Sequence, residues 1–327
     1  MTQHHKVIII GGGPAAYTAA LYASRAGLSP VCLEGYDPGG QISRSERVDN
    51  YPGLPATTGA DLGAKIREQA ETFGAVFEFG DVVEVDLANP PFRVTGLDGS
   101  RTADAVIVAT GAAARKLDLP SEEALQGRGM AYCVACDGPM FAGQPVIIIG
   151  GGDAAVGEAL ALRHIASKVT LVHRRREFRA SGVVREALAA ATDIEVITPA
   201  VVEEILGADE GRVTGARVRM ADDGSVRDLA AEGVFVAIGH EPANQLVQPW
   251  LKLDDFGFIV TEPGTTATNV PGVFAAGDVA DPRYRQAITA AASGCQAALD
   301  AERYLLGRKF EPSPAKGAAL TRPSTRP

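Results

Sequence analysis

Two cysteines stand at C-x-x-C spacing in the middle of the sequence, as Cys133 and Cys136, and Asp137 and Gly138 follow them. Two thiols at this spacing can close a small disulfide that is readily reduced and re-formed. A carboxyl group beside a reduced pair can supply a proton to a leaving thiolate. The pattern therefore favours thiol redox chemistry with Asp137 nearby.

Two other interpretations apply to the same pair. Half of a zinc site would need two more ligands, and none of the five histidines is paired with another ligand in a zinc-like spacing. Two buried structural thiols fit less well with Asp137 and Gly138 adjacent. The remaining cysteines, Cys32 and Cys295, fall in a predicted strand and an Ala-rich helix, where we expect them to be core residues.

Glycine-rich turns occur twice, each after an apolar strand and before an Ala-rich helix. The first is Gly11-x-Gly13-x-x-Ala16, and the second is Gly150-x-Gly152-x-x-Ala155. Glycines permit the sharp turn and let a pyrophosphate touch the backbone, and the helix N-terminus then offers free N–H groups. Two matches in the required context predict two dinucleotide sites, although Gly-rich turns without a ligand remain the alternative.

The residues that end the second strand of each unit differ in charge. Glu34 can accept hydrogen bonds from a ribose diol, which suits a dinucleotide without a 2′-phosphate, such as FAD. The corresponding position of the second unit is His173, followed by Arg174, Arg175 and Arg179. Guanidinium groups bind a 2′-phosphate, so the second site should prefer NADP(H), unless these arginines form only a solvated helix start.

A third glycine pattern lies near the end of the chain. Gly277-Asp278-Val279 ends a predicted strand, and residues 283–287 are expected to open a long helix that continues to about Leu306. Backbone donors at that helix start can face a flavin carbonyl, and Asp278 can bond a hydroxyl group or a water molecule. Gly-Asp alone is an ordinary turn. The pattern predicts an FAD contact only because the sequence already requires a second half for the FAD domain.

An internal repeat sets the positions of these elements. The sequence of residues 7–13, Val-Ile-Ile-Ile-Gly-Gly-Gly, recurs at residues 146–152. Repeated βαβ units predict an α/β fold in which two Rossmann-like, three-layer dinucleotide-binding domains each have a parallel sheet. The order of the late strands predicts that the second domain is inserted into a discontinuous first domain. The predicted boundaries are 1–115 and 246–310 for the FAD domain, 116–245 for the NADPH domain and 311–327 for a disordered tail.

Composition excludes several classes of protein. The 327 residues carry a formal net charge of −9, which argues against broad nucleic-acid binding. Four cysteines are too few for a secreted disulfide scaffold. Residues 7–24 are uncharged, but the glycine turn interrupts them, so a strand and a helix fit better than a membrane span. We expect a cytoplasmic protein that has neither a targeting segment nor a membrane anchor.

From Lys6 to about Arg308, the chain resembles the low-molecular-weight thioredoxin reductases. The resemblance rests on ordered motifs: residues 11–16, 39–41, 50–53, 109–112, 133–138, 150–155, 173–179, 239–240, 277–279 and 284–287. It implies that NADPH reduces FAD, that FAD reduces the C-x-x-C disulfide, and that the dithiol reduces thioredoxin. It also implies a homodimer.

The resemblance further implies roles for individual residues. Cys133 and Cys136 would form the redox disulfide, with Cys136 nearer the flavin and Asp137 as the acid catalyst. The implied FAD contacts are Gly11, Gly13, Pro14, Ala15, Glu34, Gly40, Gln41, Asn50, Ala109, Gly111, Gly277, Asp278, Arg285, Gln286 and Ala287. The implied NADPH contacts are Gly150, Gly152, Asp153, Ala154, His173, Arg174, Arg175 and Arg179.

The sequence departs from the family pattern at three places. Val134 and Ala135 replace Ala-Thr inside the C-x-x-C, and Asn244 is displaced by one position. Pro139 and Met140 replace the aromatic pair that helps to receive thioredoxin, so a thioredoxin-like partner is also expected. Alternative functions are a flavin-dependent dithiol oxidase, a flavoprotein reductase of a one-electron carrier and a non-catalytic nucleotide-binding module. The arginines at 174–179 argue against the first, and the C-x-x-C argues against the second.

Overall fold

The computed structural model describes residues 3–307. The tail predicted to be disordered, 311–327, lies outside the described residues. Over the described part of the chain, no helix is long and apolar enough to cross a membrane.

The described residues form seventeen strands and seven α-helices. The strands are β1 (Gln3–Ile10), β2 (Val31–Leu33), β3 (Val76–Glu78), β4 (Val82–Asp86), β5 (Phe92–Gly96), β6 (Gly99–Val108), β7 (Ala112–Ala114), β8 (Met130–Ala131), β9 (Pro145–Ile149), β10 (Lys168–Val172), β11 (Ile194–Ile197), β12 (Ala200–Leu206), β13 (Gly215–Met220), β14 (Val226–Ala230), β15 (Gly233–Val236), β16 (His240–Pro242) and β17 (Val273–Ala275). The helices are α1 (Pro14–Arg25), α2 (Gly59–Glu71), α3 (Pro120–Ala124), α4 (Val134–Asp137), α5 (Asp153–Leu162), α6 (Gly182–Ala190) and α7 (Ala287–Leu305).

The first sheet has the order β3-β2-β1-β6-β5-β4, and β17 also pairs with β6. Strands β3, β2, β1, β6 and β17 run parallel, whereas β5 pairs antiparallel with both β6 and β4. Val7 and Ile9 face one buried core, which α1, α2 and α7 cover, and Ile8 and Ile10 face another. Burial on both faces explains why β1 is a continuous apolar run rather than an alternating one.

The second sheet is parallel, with the order β11-β10-β9-β15-β8. Helices α5 and α6 cover one face, and the antiparallel sheet β12-β13-β14 packs on the other through Val202, Ile205 and Val218. The expected α/β architecture is confirmed, with a fully parallel second sheet and a first sheet that is parallel except at its β5 and β4 pairs. Its third layer over the second sheet is made of strands, which glycine motifs and repeats do not reveal.

A short antiparallel ladder connects the two sheets. Strand β7 pairs with β16, and the Thr110 hydroxyl donates to the Ala243 carbonyl at 2.6 Å. The chain leaves the first sheet through β7 and comes back from the second sheet through β16. A rotation of one sheet relative to the other would therefore change the backbone conformation at β7 and β16. After β16, the chain returns to the first sheet through β17.

Candidate active site

The structure joins Cys133 and Cys136 in a disulfide. Cys133 immediately precedes α4, and its sulfur accepts a hydrogen bond from the backbone N–H of Cys136 at 3.2 Å. Cys133 is half-buried, whereas Cys136 is exposed. In this arrangement the two sulfurs are bonded to each other, so neither is available as a metal ligand. Cys32 is fully buried, as expected for a core residue, and Cys295 is a half-buried free thiol.

Gln286, at the start of α7, lies against both sulfurs. Its amide Nε2 is 3.6 Å from the sulfur of Cys133, and its Oε1 is 3.8 Å from that of Cys136. The second distance is a van der Waals contact, since a disulfide sulfur has no hydrogen to donate. Asn50 donates to Gln286 Oε1 at 3.4 Å. The disulfide is therefore docked beside two of the residues implied in flavin binding.

Asp137 follows the disulfide and is half-buried. Burial raises the pKa of its carboxyl group to about 6. A larger fraction of Asp137 therefore carries a proton near neutral pH than for an exposed aspartate, as a proton donor to a thiolate requires.

The first glycine turn leaves the N-terminus of α1 open. A Cβ at Gly11, where φ is +135°, would overlap the Ala109 carbonyl oxygen, and Gly13 precedes α1 without any side-chain cap. Gly40 lies over the same turn, since a Cβ there would come within 3.1 Å of the Gly13 Cα. Gly277 packs on Ala15 from the other side. These close backbone approaches form the cradle that a dinucleotide pyrophosphate fits.

Glu34 is buried at the end of β2, and two residues that the sequence did not reveal hold it. The Tyr17 hydroxyl donates to Glu34 Oε2 at 2.8 Å, and Arg67 donates to Oε2 and Oε1 at 3.1 Å each. Oε1 receives only one of these bonds, so it retains capacity for a ribose hydroxyl. Arg67 compensates the buried charge, and no local motif predicts that pairing.

The segment from Gly277 to Ala287 completes the first site. Burial raises the pKa of Asp278 to about 6, and Asp281 adds to this rise while Arg285 opposes it. The backbone N–H groups of residues 283–285 donate to Asp281, and Arg285 has a left-handed φ of +47°. This turn delays the helix, which begins at Ala287 rather than at residue 283.

The other residues predicted for FAD lie around this edge of the first sheet. Pro14 and Ala15 are the first residues of α1, and Ala109 and Gly111 follow β6. Gln41 is exposed in the 3₁₀ turn Gly40–Arg44, and Asn50 is exposed on the loop that follows this turn.

The second glycine turn repeats this geometry at the end of β9. A Cβ at Gly150 would overlap the Ala237 carbonyl oxygen, and Gly152 has open space in front of α5. The Asp153 carboxylate accepts a hydrogen bond from the Ser181 backbone N–H at 2.9 Å, which lowers its pKa. Ala154 is exposed in the first turn of α5. The turn therefore has room for a second dinucleotide.

The charged residues after β10 divide into two groups. His173 is buried, packs directly on Gly151 and stacks on Phe178, so its ring shapes the turn from behind. Burial lowers the pKa of His173, with the neighbouring arginines adding to this effect. Within residues 3–307, the exposed arginines free of a carboxylate partner include Arg174, Arg175 and Arg179, whereas Arg176 pairs with Asp222.

Residues 5–294 match the family described as pyridine nucleotide-disulphide oxidoreductase. The chain belongs to this family. Its predicted cofactors, FAD and NADPH, are those of the family. The Cys133–Cys136 disulfide agrees with the disulphide in the family's name.

Individual relatives are similar over nearly the whole chain. A thioredoxin reductase of Coxiella burnetii is 46% identical over 311 residues, covering 93% of this chain and 97% of that protein. A Pseudomonas fluorescens protein named glucosaminate ammonia-lyase is 48% identical, with the same two coverages. The solved structure of the Giardia duodenalis thioredoxin reductase matches with a TM-score of 0.89 at 40% identity, covering 93% of this chain and 100% of that one. The resemblance to thioredoxin reductases and the two-domain Rossmann-type fold are confirmed.

Proposed function

We propose that this oxidoreductase passes electrons from NADPH through FAD and the Cys133–Cys136 disulfide to thioredoxin or a thioredoxin-like protein. The observation that carries the proposal is the disulfide docked against Gln286, at the start of the helix that borders the first dinucleotide cradle. When bound, FAD supplies the two-electron exchange between the nicotinamide and the disulfide.

The protein residues hold and orient the groups that react. The Gly11–Gly13 turn and α1 would bind the FAD pyrophosphate, with Glu34 fixed by Tyr17 and Arg67 to meet the ribose. Gln286 holds the disulfide at the same edge. The Gly150–Gly152 turn and the exposed arginines would bind NADPH.

The exposed arginines should select NADPH over NADH. Replacing Arg174 and Arg175 with Gln should raise the KM for NADPH and leave that for NADH nearly unchanged, because only NADPH has the 2′-phosphate. Each lost charge-assisted contact is worth about 1.5–3 kcal/mol. Steady-state kinetics with both coenzymes measure the effect.

Arg176→Gln is the matched control, because Arg176 is already paired with Asp222. This substitution should leave the preference between NADPH and NADH unaltered. Equal losses with NADPH and NADH in the double variant would reject the 2′-phosphate assignment.

Asp137 should act as the proton donor. Asp137→Asn should slow reduction of a protein disulfide by about 10²–10⁴-fold, the usual contribution of a general acid. In the wild type, a pKa raised to about 6 means that the acid form is lost as pH rises through that value, so the acid-dependent step should slow above it. A pH profile of turnover for both proteins tests this, and an Asn variant with wild-type turnover would assign Asp137 a structural role.

The surface beside the disulfide is the proposed docking place for the protein partner. Pro139 is exposed three residues after Cys136, and Met140, four residues after it, is 59% exposed. Methionine adapts to varied surfaces and proline stiffens the local backbone, so this surface should suit a cognate partner better than a distant thioredoxin.

The relative named as an ammonia-lyase shows that high identity alone does not fix the reaction. Elimination of ammonia transfers no electrons to a disulfide, so the exposed Cys136 and the docked pair favour a reductase for this chain. The cluster of exposed arginines likewise favours an NADPH-using enzyme over a dithiol oxidase.

Anaerobic titration with NADPH tests the proposal directly. The flavin absorbance should bleach, two thiols should become labelled per chain, and added cognate thioredoxin should be reduced. A bleached flavin without new thiols would reject the disulfide reductase. New thiols that no thioredoxin oxidises would reject thioredoxin as the partner.

The same proposal includes the organisation of the protein. We assign residues 1–115 and 246–310 to the FAD domain and residues 116–245 to the NADPH domain, supported by the return of β17 to the first sheet. A cytoplasmic homodimer is the proposed form, as inferred from the family resemblance.

A further inference from the structure

A buried glutamate on α3 holds the residue that precedes the disulfide. Glu122 is only 1% exposed. Its Oε1 accepts a hydrogen bond from the Tyr132 hydroxyl at 2.9 Å, and its Oε2 accepts one from the backbone N–H of Leu117 at 2.8 Å. Tyr132 directly precedes Cys133, and Leu117 is the third residue after β7. One carboxylate therefore connects the C-x-x-C segment with the chain that leaves the β7–β16 ladder.

The hydrogen bonds of Glu122 come from neutral groups. The ion pairs formed within residues 3–307 do not include this carboxylate. Burying a carboxylate without a cation is costly, so its two donors must stay in place to stabilise it. Burial and the bond to Glu122 both raise the pKa of Tyr132, so the hydroxyl keeps the proton that it donates. The carboxylate and its two donors fix one another.

Helix α3 presents Glu122 from a fixed position. The Ser121 hydroxyl accepts a hydrogen bond from the backbone N–H of Ile205 on β12 at 2.9 Å, and Leu125 is fully buried in the core on that face of the second sheet. Between β7 and α3, Asp118 has a left-handed φ of +60°, which aspartate tolerates better than most residues. The helix is thus anchored to the second sheet directly after the ladder.

Cys133 is held between two anchored neighbours. The Tyr132 side chain packs on the core that contains Leu125, whereas the Val134 side chain is buried in the core under α5, on the opposite face of the second sheet. The Cys133 sulfur lies 3.6 Å from Nε2 of Gln286. A shift of Tyr132 would therefore move Cys133 relative to Gln286.

We propose that Glu122 is a positioning residue of the disulfide centre. Through Tyr132 it sets where Cys133 lies against Gln286 and the proposed flavin site, and through Leu117 it ties that position to the segment that leaves β7. This inference rests on the proposed function. The two donors engage both oxygens of Glu122, so it acts through Tyr132 and transfers neither a proton nor an electron itself.

Loosening this contact should affect one route of disulfide opening and not the other. A misplacement of about 1 Å can slow a reaction between held groups by about 10²-fold, so electron transfer from the flavin should suffer. A small dithiol from solvent attacks the exposed Cys136 without using the position beside Gln286. Its rate should be unchanged. Bleaching of the flavin by NADPH should also be unchanged, because that step uses no thiol.

The variants are Tyr132→Phe, Glu122→Gln and their combination, each loaded with FAD. Tyr132→Phe removes only the hydroxyl. Glu122→Gln keeps a carbonyl oxygen for the Leu117 N–H, but it presents an amide donor where the Tyr132 hydroxyl needs an acceptor. Glu123→Gln is the matched control, because the exposed Glu123 is the next residue of the same helix and undergoes the same charge change.

Quenched thiol labelling measures how fast the Cys133–Cys136 bond opens. One set of rates follows reduction of the flavin, triggered by NADPH and, separately, by light with a sacrificial electron donor. The other set follows addition of a small dithiol. The ratio of flavin-driven to dithiol-driven opening is the decisive quantity, since a general loss of structure alters both rates together.

We expect this ratio to fall about 10-fold in Tyr132→Phe and in Glu122→Gln. The double variant should be no worse than the slower single variant, because both substitutions remove the same bond. Glu123→Gln should match the wild type. A wild-type ratio in Tyr132→Phe would overturn the proposal, and so would equal slowing of both routes or a double variant that multiplies the two effects. If Glu122→Gln does not fold, Tyr132→Phe decides alone.

The two triggers separate this proposal from the proposed function. A wild-type disulfide that opens after light but not after NADPH would reject NADPH as the electron source, and the ratios measured with light would still decide the role of Glu122. A wild-type disulfide that opens with neither trigger would reject the disulfide reductase and the positioning role together.

Discussion

Replacing either Cys133 or Cys136 with Ser should abolish reduction of a protein disulfide while NADPH still reduces the flavin. The two sulfurs form one bond, so loss of either thiol removes the only described disulfide within residues 3–307. Hydride transfer from NADPH to the flavin requires no thiol, and it should continue at its normal rate. This separation of two half-reactions is the largest effect that we expect from a single substitution.

Two measurements define the result. Anaerobic bleaching of the flavin by NADPH reports the first half-reaction, and NADPH-driven reduction of a cognate thioredoxin reports the complete cycle. Cys295→Ser is the matched control, because Cys295 is a half-buried free thiol on α7, remote in sequence from the disulfide. A Ser variant at 133 or 136 that retains full protein disulfide reduction would show that the pair is structural.

The sequence predicted the parts of the site that local pattern determines. A glycine at a sharp strand-to-helix turn is required because a Cβ would overlap a carbonyl oxygen, as at Gly11 and Gly150. The C-x-x-C spacing likewise places two sulfurs on one short turn. Such constraints act over a few residues, so a single sequence displays them.

Contacts between distant segments could not be predicted in the same way. Arg67 meets Glu34 across 33 residues, and Gln286 meets Cys133 across 153 residues. Neither pair has a spacing motif, because tertiary packing brings the partners together. His173 also escaped prediction as a packing residue, since only the structure shows its ring lying on Gly151.

The docked disulfide creates a conflict that a single arrangement of the two sheets does not resolve. Gln286 touches both sulfurs, so the inserted segment presents its disulfide, rather than its nucleotide turn, to the start of α7. In the proposed scheme, NADPH at the Gly150–Gly152 turn would have to bring its nicotinamide to the same flavin. The disulfide must also leave this position to meet a protein partner. We therefore expect the proposed NADPH domain, residues 116–245, to rotate about β7 and β16 during turnover.

A reversible cross-link can lock the observed orientation. Gly127 of the inserted segment lies near Glu46 of the first segment, since a Cβ there would be 4.0 Å from Glu46 Oε1. Gly127 itself has a φ of +75°, where a side chain is strained, so the neighbouring residue is the better position. The design combines Glu46→Cys and Gln126→Cys with Cys295→Ser. A short, cleavable reagent with two thiol-reactive groups joins the new pair of cysteines while Cys133 and Cys136 are held as the disulfide. Cys32 is fully buried and should not compete for the reagent.

Cross-linking should stop NADPH-driven turnover while preserving exchange between the reduced Cys133–Cys136 pair and the flavin, because that pair is already docked. Cleaving the linker should restore turnover, and this recovery would show that the substitutions themselves do not inactivate the enzyme. The variant carrying Glu46→Cys alone, treated with the same reagent, controls for modification without a bridge. A bridged enzyme that turns over at the rate of this control would mean that hydride delivery, disulfide reduction and partner access all occur in the docked arrangement, and the rotation would then be unnecessary. If instead only the bridged enzyme stops, the short β7–β16 ladder is the hinge that lets the flavin accept electrons from NADPH and then pass them to the disulfide.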